Sequence, residues 1–271
     1  MSTNVNLASI LQDGPDNLLV VSDFDRTLTK AFVDGKATSL ISVLAREKLM
    51  DEDYIQRAKA AYDFYRPIEI DETLSVEYRS QKMGEWWELM FSLLIEKKLS
   101  KELMRIAMGK SQAWLRDGVD KFLVTLHELN IPLLIFSGNA LGRHSIEFFL
   151  EQGGYPAENV HIISNEFIWD SQGVAVDYQR PVVHVFNKDF SLVKNELFFE
   201  QIKNRPNVIA LGDHLRDLDM IKNGDFHKTH SIGFLNENVD ELRPIYSQKF
   251  NQLVEGDGSF DLVNQILGCF K

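Results

Sequence analysis

Four apolar residues in a row, Leu18-Leu19-Val20-Val21, run straight into Ser22-Asp23-Phe24-Asp25-Arg26-Thr27-Leu28-Thr29. An apolar run of this kind reads as a strand buried on both faces, as in a parallel sheet. The strand empties into two carboxylates, Asp23 and Asp25, and residues two apart on an extended chain project to the same side. Two like charges held that close repel unless a cation or a shared proton intervenes. The end of such a strand is where an open α/β sheet places its ligand. An ordinary turn is the competing reading, since Asp is common after strands, and this stretch alone does not decide between them.

The rest of the chain alternates around one long interruption. Residues 1–17 read as a short leading helix with a turn at Asp13-Gly14-Pro15-Asp16. From Ser39 to about Arg116 the pattern is helical, with almost no strand signal. Leu40, Ile41, Val43, Leu44 and Leu49 give one amphipathic helix. Tyr54, Ile55, Ala58 and Tyr62 give a second, expected to end before Pro67. Met83, Trp86, Trp87, Met90, Leu93 and Leu94 form the apolar face of a third, and Leu103, Ile106 and Met108 belong to a fourth. An all-helical insertion suggests a separate small domain entered through two linkers, with 1–36 and 117–271 as the core domain and 37–116 as the insertion.

After the insertion, Val119–Leu129 reads as a helix and 131–136 as a second buried strand with Ser137-Gly138-Asn139 at its exit. A helix near 143–152 and a strand at 160–163 follow, then a strand-rich excursion over 165–186 with a turn at 170–173. Residues 190–203 read as a helix and 207–211 as a strand that empties into Gly212-Asp213-His214-Leu215-Arg216-Asp217. A strand at 231–234 and helices near 239–247 and 260–267 close the chain. Strands alternating with helices imply an α/β fold with a doubly wound parallel sheet.

Composition narrows the functional classes. With 271 residues, 44% of them hydrophobic, the chain can bury a proper core. A net charge of -11 repels a nucleic-acid polymer rather than steering it in, although a metal and a few local cations would still admit one small phosphate. The single cysteine, Cys269, forms no internal disulfide, which suits a reducing compartment. Met1-Ser2-Thr3-Asn4-Val5 has neither the basic region nor the apolar run of a signal peptide, and no apolar run approaches bilayer length. The expectation is a cytoplasmic protein without a membrane partner. Oligomeric state is left open, with a monomer as the default.

Three strand exits thus carry unusual chemistry: Asp23/Asp25, Ser137-Gly138-Asn139 and Asp213/Asp217. In a parallel sheet all of them lie on one edge, and Lys188 is placed to reach it. Carboxylates suit Mg²⁺, a hard ion that keeps waters and takes phosphate oxygens as ligands. Lysine, serine and backbone N–H groups suit a phosphoryl group. Singly, Lys188 reads as a surface lysine, Ser137 as a helix cap and Asp213 as a turn former; their order after successive buried strands favours a site.

Those residues carry a family resemblance. Asp23-Phe24-Asp25-x-Thr27-Leu28, Ser137, Lys188 and Gly212-Asp213-x-x-x-Asp217 resemble the haloacid-dehalogenase-like phosphohydrolases. Within that superfamily the chain is similar to the cytosolic pyrimidine 5'-nucleotidases (cytosolic 5'-nucleotidase III). The similarity runs through Tyr65-Arg66-Pro67-Ile68-Glu69-Ile70-Asp71, Met83-Gly84-Glu85-Trp86, His184-Val185-Phe186-Asn187-Lys188 and Gly233-Phe234-Leu235-Asn236.

The resemblance implies hydrolysis of a nucleoside monophosphate with Mg²⁺. Asp23 would be the nucleophile, forming an aspartyl-phosphate. Asp25 would protonate the leaving oxygen and then activate water, while its backbone carbonyl serves as a metal ligand. Ser137 and Lys188 would hold the phosphoryl oxygens. Asp213 would bind the metal, with Asp217 as a further ligand or as support behind it. The insertion would be a cap that closes over the site. Within it Glu85 would read the base, and Phe64, Tyr65, Trp86 or Trp87 would stack on it, although Trp86 and Trp87 at helical spacing also read as cap core.

The sequence departs from the family pattern at Arg26, read as harmless, and at Asn139, expected to take a left-handed backbone. It departs also at His214 and Arg216, bulky side chains that would crowd the metal or add a phosphate contact. Two other readings compete. One is a phosphatase of the same mechanism for another small monoester, such as methylated guanosine monophosphate; the other is a non-catalytic binding module derived from a phosphatase.

Overall fold

The structure, a computed structural model, describes residues 3–270. Helix α1 (Thr3–Asp13) turns into β1 (Leu18–Ser22), every residue of which is buried. A hairpin of β2 (Phe32–Val33) and β3 (Lys36–Ala37) leads to α2 (Ser42–Arg46), α3 (Glu52–Ile70), α4 (Val76–Glu96) and α5 (Lys101–Lys110). Alternation resumes with α6 (Val119–Glu128), β4 (Leu133–Ser137), α7 (Arg143–Gly153) and β5 (Val160–Ser164). A second hairpin, β6 (Phe167–Trp169) with β7 (Ala175–Tyr178), precedes α8 (Phe199–Ile202), β8 (Asn207–Gly212) and β9 (Lys228–Leu235). The chain closes with α9 (Val239–Lys249), β10 (Gln252–Glu255) and α10 (Asp261–Gly268).

One parallel sheet of six strands, ordered β10-β9-β8-β1-β4-β5, organises the molecule. Its side chains alternate between two cores. Leu18, Val20, Leu133, Ile135 and Ile209 pack on one face, and Leu19, Val21, Leu134, Phe136 and Val208 on the other. Each fully buried Leu, Ile or Val contributes roughly 1.5–3 kcal/mol, so β1 cannot slip without losing both faces at once. β1 lies between β4 and β8, with Ser22 opposite Ile135 on one side and Leu211 on the other. The chain steps from β1 to β4 in one direction and later returns to β8 on the other side, so the exits of all three strands meet at a switch point.

The insertion is helical, as its periodicity predicts. Asp51, Ser75 and Ser100 cap α3, α4 and α5 by accepting the N–H of Tyr54, Tyr78 and Leu103, each cap contributing on the order of 1 kcal/mol. α3 packs on α4, α4 on β7, and α5 on α7. The two crossings into the insertion lie side by side. Lys30 N–H donates to Trp114 O at 2.7 Å and Arg116 N–H to Leu28 O at 3.0 Å, around an antiparallel bridge between Thr29 and Leu115.

Four local expectations change. α3 continues through Pro67 to Ile70, because a proline in the last turn removes one bond only and the freed end is served otherwise: Arg79 donates to Glu69 O from Nε (3.1 Å) and Nη2 (2.6 Å). The helix expected over Leu40–Leu49 shrinks to α2, as the Leu40 N–H is taken by Asp25. Residues 190–203 split into a 3-10 turn, Phe190–Asn195, and α8, because the Asp189 side chain caps the Ser191 N–H and tightens the first turn. β10 extends the sheet by a strand the sequence did not suggest; its Gln252, Leu253 and Val254 are half-buried and show no alternation.

Candidate active site

Asp23 follows β1 directly, its N–H held by Leu211 O at 3.0 Å. Lys188 Nζ donates to Asp23 and, at 3.1 Å, to Asp217. Carboxylate oxygens of Asp23, Asp213 and Asp217 all lie within 4.8 Å of one another. The loop after β8 is built for this. The His214 N–H donates to Asp217 Oδ2 at 2.9 Å, and Tyr246 from α9 donates its hydroxyl to Asp213 O at 2.8 Å. Gly212 is required here, since a Cβ at that position would stand 2.3 Å from the Asp217 Cβ.

Asp25 lines the same cavity but stands apart from the carboxylate trio, and its Oδ1 accepts the Leu40 N–H at 2.7 Å. The loop between is tight: the Leu28 and Thr29 N–H groups both return to Phe24 O, at 3.0 and 3.1 Å. Arg26 takes the left-handed conformation that this turn imposes, with φ at 64°. Fully buried Arg116 ties the loop down. It donates to Arg26 O (2.5 Å), Thr27 O (2.8 Å), Thr29 O (3.2 Å), Gly258 O (2.9 Å) and Asn236 Oδ1 (3.0 Å), and pairs with Asp257 at 2.9 Å.

The electrostatics favour a cation. Burial pushes the Asp23 carboxyl well above the usual carboxylate range; Lys188 pulls it back down, and Asp217 and Asp213 push it up. Burial, with Asp217 beside it, raises Asp213 to about 7. Burial likewise raises Asp25 to about 6, against the Leu40 N–H, Lys188 and Arg26. Burial opposes the charge on Lys188, but Asp217 and Asp23 outweigh it and the ammonium is held more firmly than usual. Lys188, with Arg26 shared between Asp213 and Glu237, does not neutralise the three clustered carboxylates. Oxygen-only donors at this spacing fit a small hard divalent ion such as Mg²⁺. His184, on the cavity wall, is lowered to about 4 by burial and is neutral near pH 7.

A cavity of about 190 Å³ opens over these groups, lined by Asp23, Asp25, Ser137, Lys188, Asp213 and Asp217 among others. Ser137, the last residue of β4, accepts the Asn139 N–H at 3.2 Å. A second cavity of about 370 Å³ adjoins it, with Tyr54, Tyr62, Trp86, Trp87 and Met90 on its walls. Trp86 stacks on Tyr65 at 5.8 Å, and neither indole N–H of Trp86 or Trp87 has a partner among the described residues. Phe64 and Tyr65 line neither cavity, whereas Trp87 lines both. Glu85 is not brought to either lining: it pairs with Lys82 at 2.6 Å and accepts from Gln81 at 3.0 Å. The carboxylate lining both is Glu69.

The departures resolve individually. Asn139 keeps an ordinary backbone; its side chain takes the Leu141 N–H and donates to Ser145, so no left-handed turn is needed. Arg216 does not crowd the acidic trio, since it turns to Asp219 at 3.3 Å and lies over Phe186. His214 caps the loop by accepting the Arg216 N–H at 3.1 Å. Arg26 belongs to the site, lining both cavities with Nε 3.6 Å from Asp213 and Nη2 2.7 Å from Glu237. Sequence reasoning gave no role to Arg66, Glu69 or Arg116, although Arg66 and Glu69 lie in the Tyr65–Asp71 segment that carries the family similarity.

An aspartate pair at the exit of a central parallel strand, an acidic loop after its neighbour and a lysine bridging them define a haloacid-dehalogenase-like phosphohydrolase. The chain belongs to the pyrimidine 5'-nucleotidase (UMPH-1) family, whose model matches residues 26–271. It is 31% identical over 263 residues to 7-methylguanosine phosphate-specific 5'-nucleotidase A of Xenopus laevis, covering 96% of this chain and 90% of that one. To the 7-methylguanosine phosphate-specific 5'-nucleotidase of Homo sapiens it is 33% identical over 263 residues, covering 96% and 87%. The crystal structure of cytosolic 5'-nucleotidase IIIB bound to cytidine matches with a TM-score of 0.86 at 26% identity, covering 98% of this chain and 90% of that one. Among the described residues no helix is long and apolar enough to cross a membrane.

Proposed function

We propose that the chain hydrolyses nucleoside 5'-monophosphates with Mg²⁺, Asp23 acting as nucleophile and Asp25 as acid and then base. The carrying observation is the clustering of Asp23 with Asp213, Asp217 and Lys188 at the mouth of a cavity that continues into an aromatic chamber. Asp23, Asp213 and Asp217, with the Asp25 carbonyl, would hold the ion. Bound there, it offsets the repulsion between the Asp23 carboxylate and the phosphate dianion.

Asp23 attacks phosphorus; the bond to the nucleoside oxygen breaks, and Asp25 gives that oxygen its proton. With a pKa of about 6, Asp25 retains part of its proton near neutrality, as an acid in this role needs. Water then attacks the phosphorus of the aspartyl-phosphate, Asp25 takes the water's proton, and phosphate leaves Asp23 free. Lys188 and Ser137 bind the phosphoryl oxygens throughout. Residues 37–116 are proposed as the cap, rooted by α5 on α7, with α3 and α4 walling the base chamber. Glu85 is proposed to reach the base only by leaving Lys82. One chain carries every residue named, and a cytosolic setting is proposed after the related cytosolic 5'-nucleotidase IIIB.

Hydrolysis of cytidine, uridine and 7-methylguanosine 5'-monophosphates, scored by kcat/KM with Mg²⁺ and with EDTA, tests the reading. Mg²⁺-dependent release of phosphate is expected, and no release from any of the three would defeat it. The 7-methylguanosine nucleotide has its own support. Relatives bear that substrate in their names, and a cationic base suits a chamber faced by two tryptophans.

The cation also sets a pH signature. Asp25 and Asp213 titrate at about 6 and about 7 when folded, above the ordinary 3.8. The folded chain therefore holds these protons longer than the unfolded one, so their contribution to stability is full below the unfolded value and is lost as pH rises through 6 and 7. A divalent cation reverses that loss. The rise in melting temperature caused by Mg²⁺ is expected to be larger near about pH 7.5 than near about pH 5; an equal rise at both would place the ion elsewhere.

A further inference from the structure

Arg26 departs from the family pattern, lines both cavities and has no part in the chemistry above. The backbone beneath it is pinned. Its N–H donates to Thr29 Oγ1 at 2.9 Å, and its carbonyl accepts from Arg116 at 2.5 Å and from Asn236 Nδ2 at 3.0 Å. The side chain is placed as firmly. Its guanidinium lies over the Phe32 ring, 5.6 Å from the centre, and Nη2 donates to Glu237 at 2.7 Å.

The Nε atom is the informative one. It is buried, has no hydrogen-bond partner among the described residues, and stands 3.6 Å from Asp213 Oδ2, beyond hydrogen-bond reach. The guanidinium is therefore bonded to Glu237 and faces Asp213 as a charge alone. Lys188 donates to Asp23 and Asp217, so Arg26 is the cation paired with Asp213. A positive charge fixed beside a ligand carboxylate cancels part of that carboxylate's field and repels an incoming divalent ion. The same charge attracts a phosphate dianion in the cavity it lines.

We propose that Arg26 is a resident counter-ion of the metal site, holding the affinity for Mg²⁺ down and the affinity for phosphate up. The ion is then gripped firmly only when a phosphoryl group shares the cavity. The inference rests on the nucleotidase reading above, through the placing of Mg²⁺ at Asp213. A residue that merely braced the turn through Glu237 would act differently. Its loss would loosen the loop that carries Asp23 and Asp25 and weaken both ligands together.

Titration calorimetry at fixed pH and ionic strength tests this on the full chain. Mg²⁺ is titrated alone, then inorganic phosphate at saturating Mg²⁺, into the unaltered protein, Arg26→Met, Arg26→Gln and Arg26→Lys. Each neutral variant is expected to bind Mg²⁺ roughly 10-fold more tightly, a modest share of the repulsion between a single and a double charge a few ångströms apart near a protein surface. Both should bind phosphate more weakly, and Arg26→Lys, which restores the charge, should stay close to the unaltered protein. Arg26→Gln keeps a donor for Glu237, so the comparison stands even where Arg26→Met fails to fold. Mg²⁺ binding that is unchanged or weaker in the neutral variants overturns the proposal, as does phosphate held as firmly as before. An unaltered chain that binds no Mg²⁺ defeats the metal reading itself, an outcome separate from binding that is indifferent to Arg26.

Discussion

Asp23→Asn is expected to lower kcat by roughly four orders of magnitude or more, the scale seen when a covalent nucleophile is removed. The loss should fall on kcat with little change in melting temperature. The reason is electrostatic. Burial already resists a negative charge at Asp23, and Asp217 and Asp213 resist it further, so a neutral amide of the same shape removes repulsion rather than a net attraction. Asn keeps an oxygen for Lys188, whose second partner Asp217 is unaffected. Single-turnover assays with an acid quench should find phosphate covalently attached to the unaltered protein and none on the variant. A variant retaining a tenth or more of the rate would move the nucleophile to another group.

Arg116→Met is expected to cost roughly 3–5 kcal/mol of unfolding free energy, the range for breaking a buried charge network from one side. Methionine fills much of the volume but donates nothing to Arg26 O, Thr27 O, Thr29 O, Gly258 O or Asn236, and leaves Asp257 without its cation. Asp257 also accepts the Ala31 and Phe32 N–H groups, so the disturbance spreads to both sides of the crossing into the insertion. Urea denaturation measures the loss. A change below about 1 kcal/mol, the worth of an exposed pair, would mean that the loop after Asp25 holds its shape without this residue.

The sequence made legible what side-chain pattern encodes. The apolar run Leu18–Val21 located the central strand because burial on both faces leaves no polar alternation. Ser137 and Asp213 were found for the same reason, each following a run of buried residues. Asp23, Asp213 and Asp217 bring their carboxylates together, while Asp25 lines the same cavity with one oxygen held by the Leu40 N–H. Backbone donors have no letter in a sequence. Arg116 escaped notice on the same ground, since half of its partners are carbonyls of a loop 90 residues distant or nearly so. At Glu85 the period was available but unused, whereas at Glu69 no period could have served. Met83, Trp86 and Met90 mark the buried stripe of α4, and Glu85 lies off that stripe. Glu69 gains its place only from the way the end of α3 is pinned by Arg79, a contact across 10 residues and two helices.

The antiparallel bridge between Thr29 and Leu115 has a consequence for how such a chain can be altered. Partners across an antiparallel bridge stand roughly 5 Å apart, so everything between them departs and rejoins at a single seam. A tight turn of a few residues is long enough to splice that seam shut. The sheet can therefore be threaded identically whatever the excursion contains, and a different set of helices, long or short, can be grafted at the same two residues while the acidic edge is kept whole.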